Sequence, residues 1–108
     1  MKRIRSYSPV AVEAARLLGT NIRLARRQHR WTLQELADRV GVSKITMMKV
    51  ERGDLTVGLG ITFEAASVSG VPLFTADRSH LRLEATRLDD RLALLPNAVR
   101  KRQIDNDF

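Results

Sequence analysis

The chain has 108 residues, 44% of them hydrophobic, and its 19 Lys and Arg against 12 Asp and Glu leave a formal charge of +7. At this length one domain with a tail is expected, with a core so small that dimerisation would help it. The lack of cysteine excludes a disulfide scaffold, a thiolate zinc site and a cysteine nucleophile. No apolar run approaches the roughly 18–20 residues of a membrane span, and the basic N-terminus lacks the apolar core of a signal peptide. A soluble cytoplasmic protein without a membrane partner is expected.

The charge is unevenly spread. Residues 1–31 hold eight basic groups and one acid, 32–60 hold four of each, and 61–108 hold seven of each. The whole excess therefore lies in the first third, the electrostatic footprint of a polyanion-binding surface. A solvated basic helix face would look the same from charge alone.

Residues 1–9 read as a flexible basic arm ending at Pro9. From 10 to about 28, Val12, Ala15, Leu18, Ile22 and Ala25 recur at three- and four-residue steps, which predicts a helix with one apolar face. Arg16, Arg23, Arg27 and Arg30 fall largely off that face. Thr32-Leu33-Gln34-Glu35 is a capping box, in which the Thr32 hydroxyl accepts the Glu35 amide and the Glu35 side chain returns to the Thr32 amide. It opens a short helix over about 33–40, with Leu36, Ala37 and Val40 apolar, stopped by Gly41. Ser43 caps a second short helix to about 52, with Met47 and Val50 inward, closed by Gly53. Helix, three-residue turn with glycine first, helix is the layout of a helix-turn-helix.

A fourth helix is predicted over 59–69, burying Leu59, Phe63 and Ala66, with Ala65 beside them, and stopped by Gly70. Val71-Pro72-Leu73-Phe74 reads as an apolar connector closing the core. From about Asp77, the residues Leu81, Ala85, Leu88, Leu92 and Leu95 form an apolar seam of about two heptads among charged neighbours, ended by Pro96. The seam either folds back over the 63–74 region or pairs with another chain. Residues 97–108 are polar and charged.

Several signals point nowhere. His29 and His80 are far apart, with no clustered ligands, so no metal is expected. Gly58-x-Gly60 lacks the rest of a phosphate loop, and no nucleophile stands with a plausible base. The chain is expected to be neither an enzyme nor a cofactor binder. Trp31 precedes the Thr32 cap, where an apolar residue staples onto the following helix. Met47 and Met48 are adjacent, so at most one faces inward.

Residues from about 22 to 74, about half the chain, resemble the Cro/CI-type (XRE) helix-turn-helix repressors. The match is carried by Ile22-Arg23-x-Ala25-Arg26, Trp31-Thr32-x-x-Glu35-Leu36-Ala37, Val40-Gly41-Val42-Ser43, Val50-Glu51-Arg52-Gly53 and Gly70-Val71-Pro72-Leu73. The resemblance implies an all-α fold with a compact five-helix domain over 10–76; the apolar seam predicts an additional C-terminal helix over 77–95, followed by a flexible tail over 96–108. It also implies a homodimer that represses transcription at a palindromic double-stranded DNA operator. The implied DNA contacts are Thr32, Leu33, Ser43, Lys44, Ile45, Thr46, Lys49 and Arg52. Arg26 and Glu51 are implied as a structural ion pair. A lysine donates to guanine, and Ile45 packs on a thymine methyl. Arg3 and Arg5 on the arm could reach a minor groove, and small residues at Gly58-Leu59-Gly60 would let backbone amides approach a phosphate.

The closing stretch, Leu95-Pro96 through Arg100-Lys101-Arg102 to Ile104-Asp105-Asn106-Asp107-Phe108, looks like the tail of HipB-like antitoxins encoded beside HipA-like kinases. This implies an autoregulating antitoxin whose partner is a HipA-like toxin kinase, touched through Leu81, Leu88, Leu92, Ile104 and Phe108. A standalone phage-like or metabolic repressor without a toxin is the alternative, and a fold-alike that has lost DNA binding is a third.

Overall fold

The computed structural model describes residues 6–75 and 77–98. Their helices are α1 (Pro9–Gln28), α2 (Leu33–Val40), α3 (Lys44–Glu51), α4 (Leu59–Ser69) and α5 (Arg78–Ala93). Extended pairing among the described residues is limited to one isolated bridge between Leu73 and Thr75. None of these helices is long and apolar enough to cross a membrane. The chain divides into a unit ending at residue 76 and another beginning at Asp77.

Local chemistry accounts for the helix ends. Ser8 caps α1 by accepting the Ala11 amide, and Pro9 is its first residue. The expected arm therefore loses its last residue to the helix, because proline's fixed φ suits the first helical position and its missing N–H costs nothing there. Residues 1–5 lie outside the described residues. α1 closes with the Trp31 amide donating to Arg26 O and the Arg30 amide to Arg27 O, and Arg30 takes the left-handed conformation at φ 61. This is a glycine-type helix stop made without glycine.

α2 opens with both halves of its capping box in place and closes at Gly41, whose φ is 85. The Ser43 hydroxyl accepts the Thr46 amide at the start of α3. Between the two helices only Gly41, Val42 and Ser43 intervene, and α2 packs directly on α3.

α1 packs on α3 and α4, and α2 on α4, around a core of Ile22, Leu36, Ala37, Met47, Val50, Ala65 and Ala66. Leu18, Trp31, Val40, Val57, Ile61, Val68, Val71 and Leu73 pack around it. Met47 is buried and Met48 half-buried, so one of the adjacent pair is inward.

Three expectations differ. Leu59 is 67% exposed, and the face that α4 buries is Ala65, Ala66 and Ser69. Apolar residues ring much of α4, so its pattern carries little directional information. Phe74 is 94% exposed rather than part of the core closure. Its φ of 66 turns the chain at the Leu73–Thr75 bridge, with Phe74 at the tip. Finally, the unit up to residue 76 holds four helices among its described residues, not five. After Gly70 ends α4 in the left-handed conformation, Pro72 disfavours helix at Val71, and no helix forms between Gly70 and the bridge.

Gly19 marks the closest approach of two elements. A Cβ there would lie 2.6 Å from Glu51 O and 2.7 Å from Val50 O. These are backbone atoms and cannot swing aside, so α1 and α3 meet at this distance only because residue 19 has no side chain. Gly19→Ala is expected to destabilise the fold by about 1–3 kcal/mol, read as a lower denaturant midpoint with an unchanged m-value.

Candidate nucleic-acid interface

α3 is eight residues long, too short to persist without tertiary support. Its inward side is Met47, Val50 and Glu51, all buried. Lys44, Ile45, Lys49 and Arg52 are exposed, with Ile45 at 62%, and Met48 is half-buried. At about 100° per residue these five positions fall within an arc of about 140°. The outward face of α3 is therefore three cations around one solvent-facing aliphatic side chain. An exposed isoleucine on a polar face of a short helix adds nothing to the core.

Two helix beginnings accompany that face. At α2, the Glu35 amide donates to Thr32 Oγ1 at 3.1 Å and Glu35 Oε1 accepts the Thr32 amide at 3.4 Å. Leu33 is half-buried against the core, and its backbone amide lies at the first position of α2. At α3, Ser43 Oγ donates to Thr46 Oγ1 at 3.0 Å while accepting the Thr46 amide at 3.1 Å. The Thr46 hydroxyl proton remains available as a donor. A third beginning, at Gly58, has no side-chain cap, and a Cβ added at Gly58 or Gly60 would meet open space.

What holds α3 at this angle is an ion pair inside the fold. Arg26 Nε donates to Glu51 Oε2 at 2.6 Å and Arg26 Nη2 to Glu51 Oε1 at 3.1 Å, a bidentate fork. Arg26 Nη1 also donates to Trp31 O at 2.9 Å, and Arg23 Nε lies 3.4 Å from Glu51 Oε1. The Glu51 side chain is only 3% exposed. It closes α3, where the helix dipole is negative, so the carboxylate is tolerated there because two guanidiniums face it. The structure thus brings Arg26 and Glu51 together, and it adds Arg23, which the sequence placed only off the apolar face of the first helix. Arg23 lies one turn before Arg26 on α1, the only sequence signal for its role.

A second fastening was not read from the sequence. The His29 and Trp31 rings stack at 4.2 Å with 14° between planes, and Arg39 Cζ sits 4.0 Å over the Trp31 ring. His29 Nε2 is 2.9 Å from Ser69 O, and since a carbonyl only accepts, Nε2 carries the proton. This column ties the end of α1 to the ends of α2 and α4 through the turn that presents Thr32. Trp31 therefore does more than staple one helix, and His29, isolated in sequence, gains a structural role.

Beyond α3, Asp54 accepts from the Thr56 hydroxyl at 2.6 Å and the Thr56 amide at 2.8 Å. These two bonds, the hydroxyl first, hold the Asp54 carboxyl below its usual range, with Lys49 adding to the effect and desolvation opposing it. Lys49 is thereby near a carboxylate of its own chain, which offsets part of its charge. Leu81, Leu88 and Leu92 are exposed on α5, none of whose residues is buried. Ile104 and Phe108 lie outside the described residues, as do Arg3, Arg5 and the 100–102 basic cluster.

No protein-family profile matches the chain, and a search among curated proteins finds no match.

Two outcomes follow from the buried pair and the Asp54 turn. Glu51→Ala leaves the Arg26 guanidinium in the fold without its fork, and should cost about 3–5 kcal/mol, seen as a lower melting temperature. Asp54 has a folded pKa depressed below its ordinary 3.8. Its contribution is thus fully present above that value and lost as pH falls through the folded one. The stability gap between wild type and Asp54→Ala should be constant near neutral pH and close on acidification below 3.8.

Proposed function

We propose that the chain is a sequence-specific DNA-binding repressor of the Cro/CI helix-turn-helix kind, acting as a homodimer on a palindromic operator in the bacterial cytoplasm, at the nucleoid. The observation that carries this reading is the outward face of α3. Its cations and Ile45 are exposed and belong to neither fastening of the fold, and they have the chemistry of a major-groove reader. The two tight fastenings behind the face support the same reading, because recognition needs the presenting helix held in one orientation.

In this mechanism the Ser43 end of α3 leads into the major groove. Lys44 and Lys49 donate to guanine O6 and N7, and Ile45 packs on a thymine methyl, each good contact discriminating by about 1–3 kcal/mol. The helix beginnings at Thr32 and Ser43 and the hydroxyl of Thr46 take phosphates, with the Leu33 contact made by its backbone amide. Arg52, at the far end of α3, takes another. The basic excess of the first third raises the encounter rate.

The antitoxin reading, with a HipA-like kinase as partner, rests on the tail. Pull-down of the tagged full chain, with and without residues 97–108, tests it. A stoichiometric kinase lost on truncation establishes that reading, and a bare homodimer assigns a standalone repressor.

DNA binding itself is tested by selecting duplexes from a random pool and measuring affinity for the winner against salt. Affinity should fall steeply between about 50 and 200 mM salt as counterions are released, and a flat response overturns the proposal. Lys49→Ala should change the selected sequence, whereas Arg52→Ala should weaken all sequences alike. The opposite assignment of these two effects would mean that a different arc of α3 faces the bases.

A further inference from the structure

α5 is a 16-residue helix with no buried residue. Leu81, Leu88 and Leu92 are 38, 54 and 63% exposed, and with Ala85 they share one face at steps of four, three and four. A lone helix of this length is marginal in water. Its side-chain supports include the Asp77 cap, which accepts the Ser79 amide, the Thr86 hydroxyl donating to Arg82 O at 3.0 Å and an exposed Arg87–Glu84 pair at 3.2 Å, and an exposed pair adds little. Burial of the leucine seam is the large stabilisation still available to it.

We infer that α5 pairs with α5 of a second copy of this chain, and that the two run antiparallel. In heptad positions, Leu81 and Leu88 are d, and Ala85 and Leu92 are a. Arg82 and Asp89 follow the d residues, and Glu84 and Arg91 precede the a residues. In an antiparallel pair each a residue faces a d residue, so Leu81 lies against the second copy's Leu92, and Ala85 against the second copy's Leu88. The same register sets Arg82 beside the second copy's Asp89 and Glu84 beside the second copy's Arg91. Two-fold symmetry repeats each contact, so all four flanking residues meet the opposite charge. The layers nearest the axis are the two Ala85–Leu88 pairs, in which each small Ala85 leaves room for the second copy's Leu88.

A parallel pair places the residue before a against the following residue after d. It would set Glu84 against the second copy's Asp89, like against like, on both sides of the seam. The order of charges therefore selects orientation as well as partner. The inference specifies the dimer contact that the DNA-binding reading assumes, and it uses none of the proposed DNA contacts. Its test needs no DNA, so either can fail alone.

The experiment is analytical ultracentrifugation of the full chain over a range of concentrations at low salt. The expected result is a concentration-dependent dimer. Asp89→Arg turns both Arg82 contacts repulsive and should weaken the dimer roughly ten-fold. Arg82→Asp should do the same, and the double exchange Arg82→Asp with Asp89→Arg should restore wild-type affinity. Circular dichroism melting of each variant monitors folding of the remainder. A tighter dimer with Asp89→Arg overturns the antiparallel arrangement, because in a parallel pair the introduced guanidinium meets the second copy's Glu84. A wild-type chain that stays monomeric, or a dimer indifferent to these charges, overturns the inference altogether.

Discussion

The fork between Arg26 and Glu51 is the constraint on which the rest of the first unit depends. It spans 25 residues of sequence and joins α1 to the last residue of α3. Its carboxylate is nearly buried, so the fold must bring both guanidiniums of α1 to it or leave a charge in the core. That requirement sets how α3 is rotated about its own axis. The absence of a side chain at Gly19 sets how closely α3 lies to α1. Rotation and distance together determine which side chains of α3 reach solvent.

A short helix held this way can dispense with packing on most of its surface. α3 anchors itself through Met47, Val50 and Glu51 and leaves Lys44, Ile45 and Lys49 exposed. The His29–Trp31–Arg39 column does the corresponding work at the other end of the site, holding the turn that presents the Thr32 cap. Neither fastening uses the exposed lysines. This separation between residues that hold and residues that face outward lets the outward residues vary without loss of the fold.

The second unit follows a different logic. α5 buries nothing of itself, and the proposed self-pairing would cover its leucines and match its charges. Each flank of its leucine seam reverses sign along the helix, Arg82 then Asp89 and Glu84 then Arg91, which is the order the proposed antiparallel self-pairing requires. The first unit therefore carries the surface proposed for recognition, and the second the surface proposed for assembly.

Local signals were legible because their causes lie within a few residues. Thr32 and Ser43 cap helices, Gly41 and Gly70 stop them, and the apolar steps of α1 mark its inward side, all through interactions reaching three or four positions along the chain. The pairing of Arg26 with Glu51 came from resemblance, since nothing local links residues so far apart. Tertiary packing alone decided the rest. It recruited Arg23 to Glu51, built the column on Trp31, turned Phe74 outward at a positive φ and left Leu59 exposed. In α4, apolar residues lie on too many sides for periodicity to choose one, and only the neighbours α1 and α2 choose. Sequence by itself determined where helices begin and end, because capping and backbone preference are short-range. The tertiary structure decided which face of each helix meets the others, because that depends on contacts between residues distant in the chain.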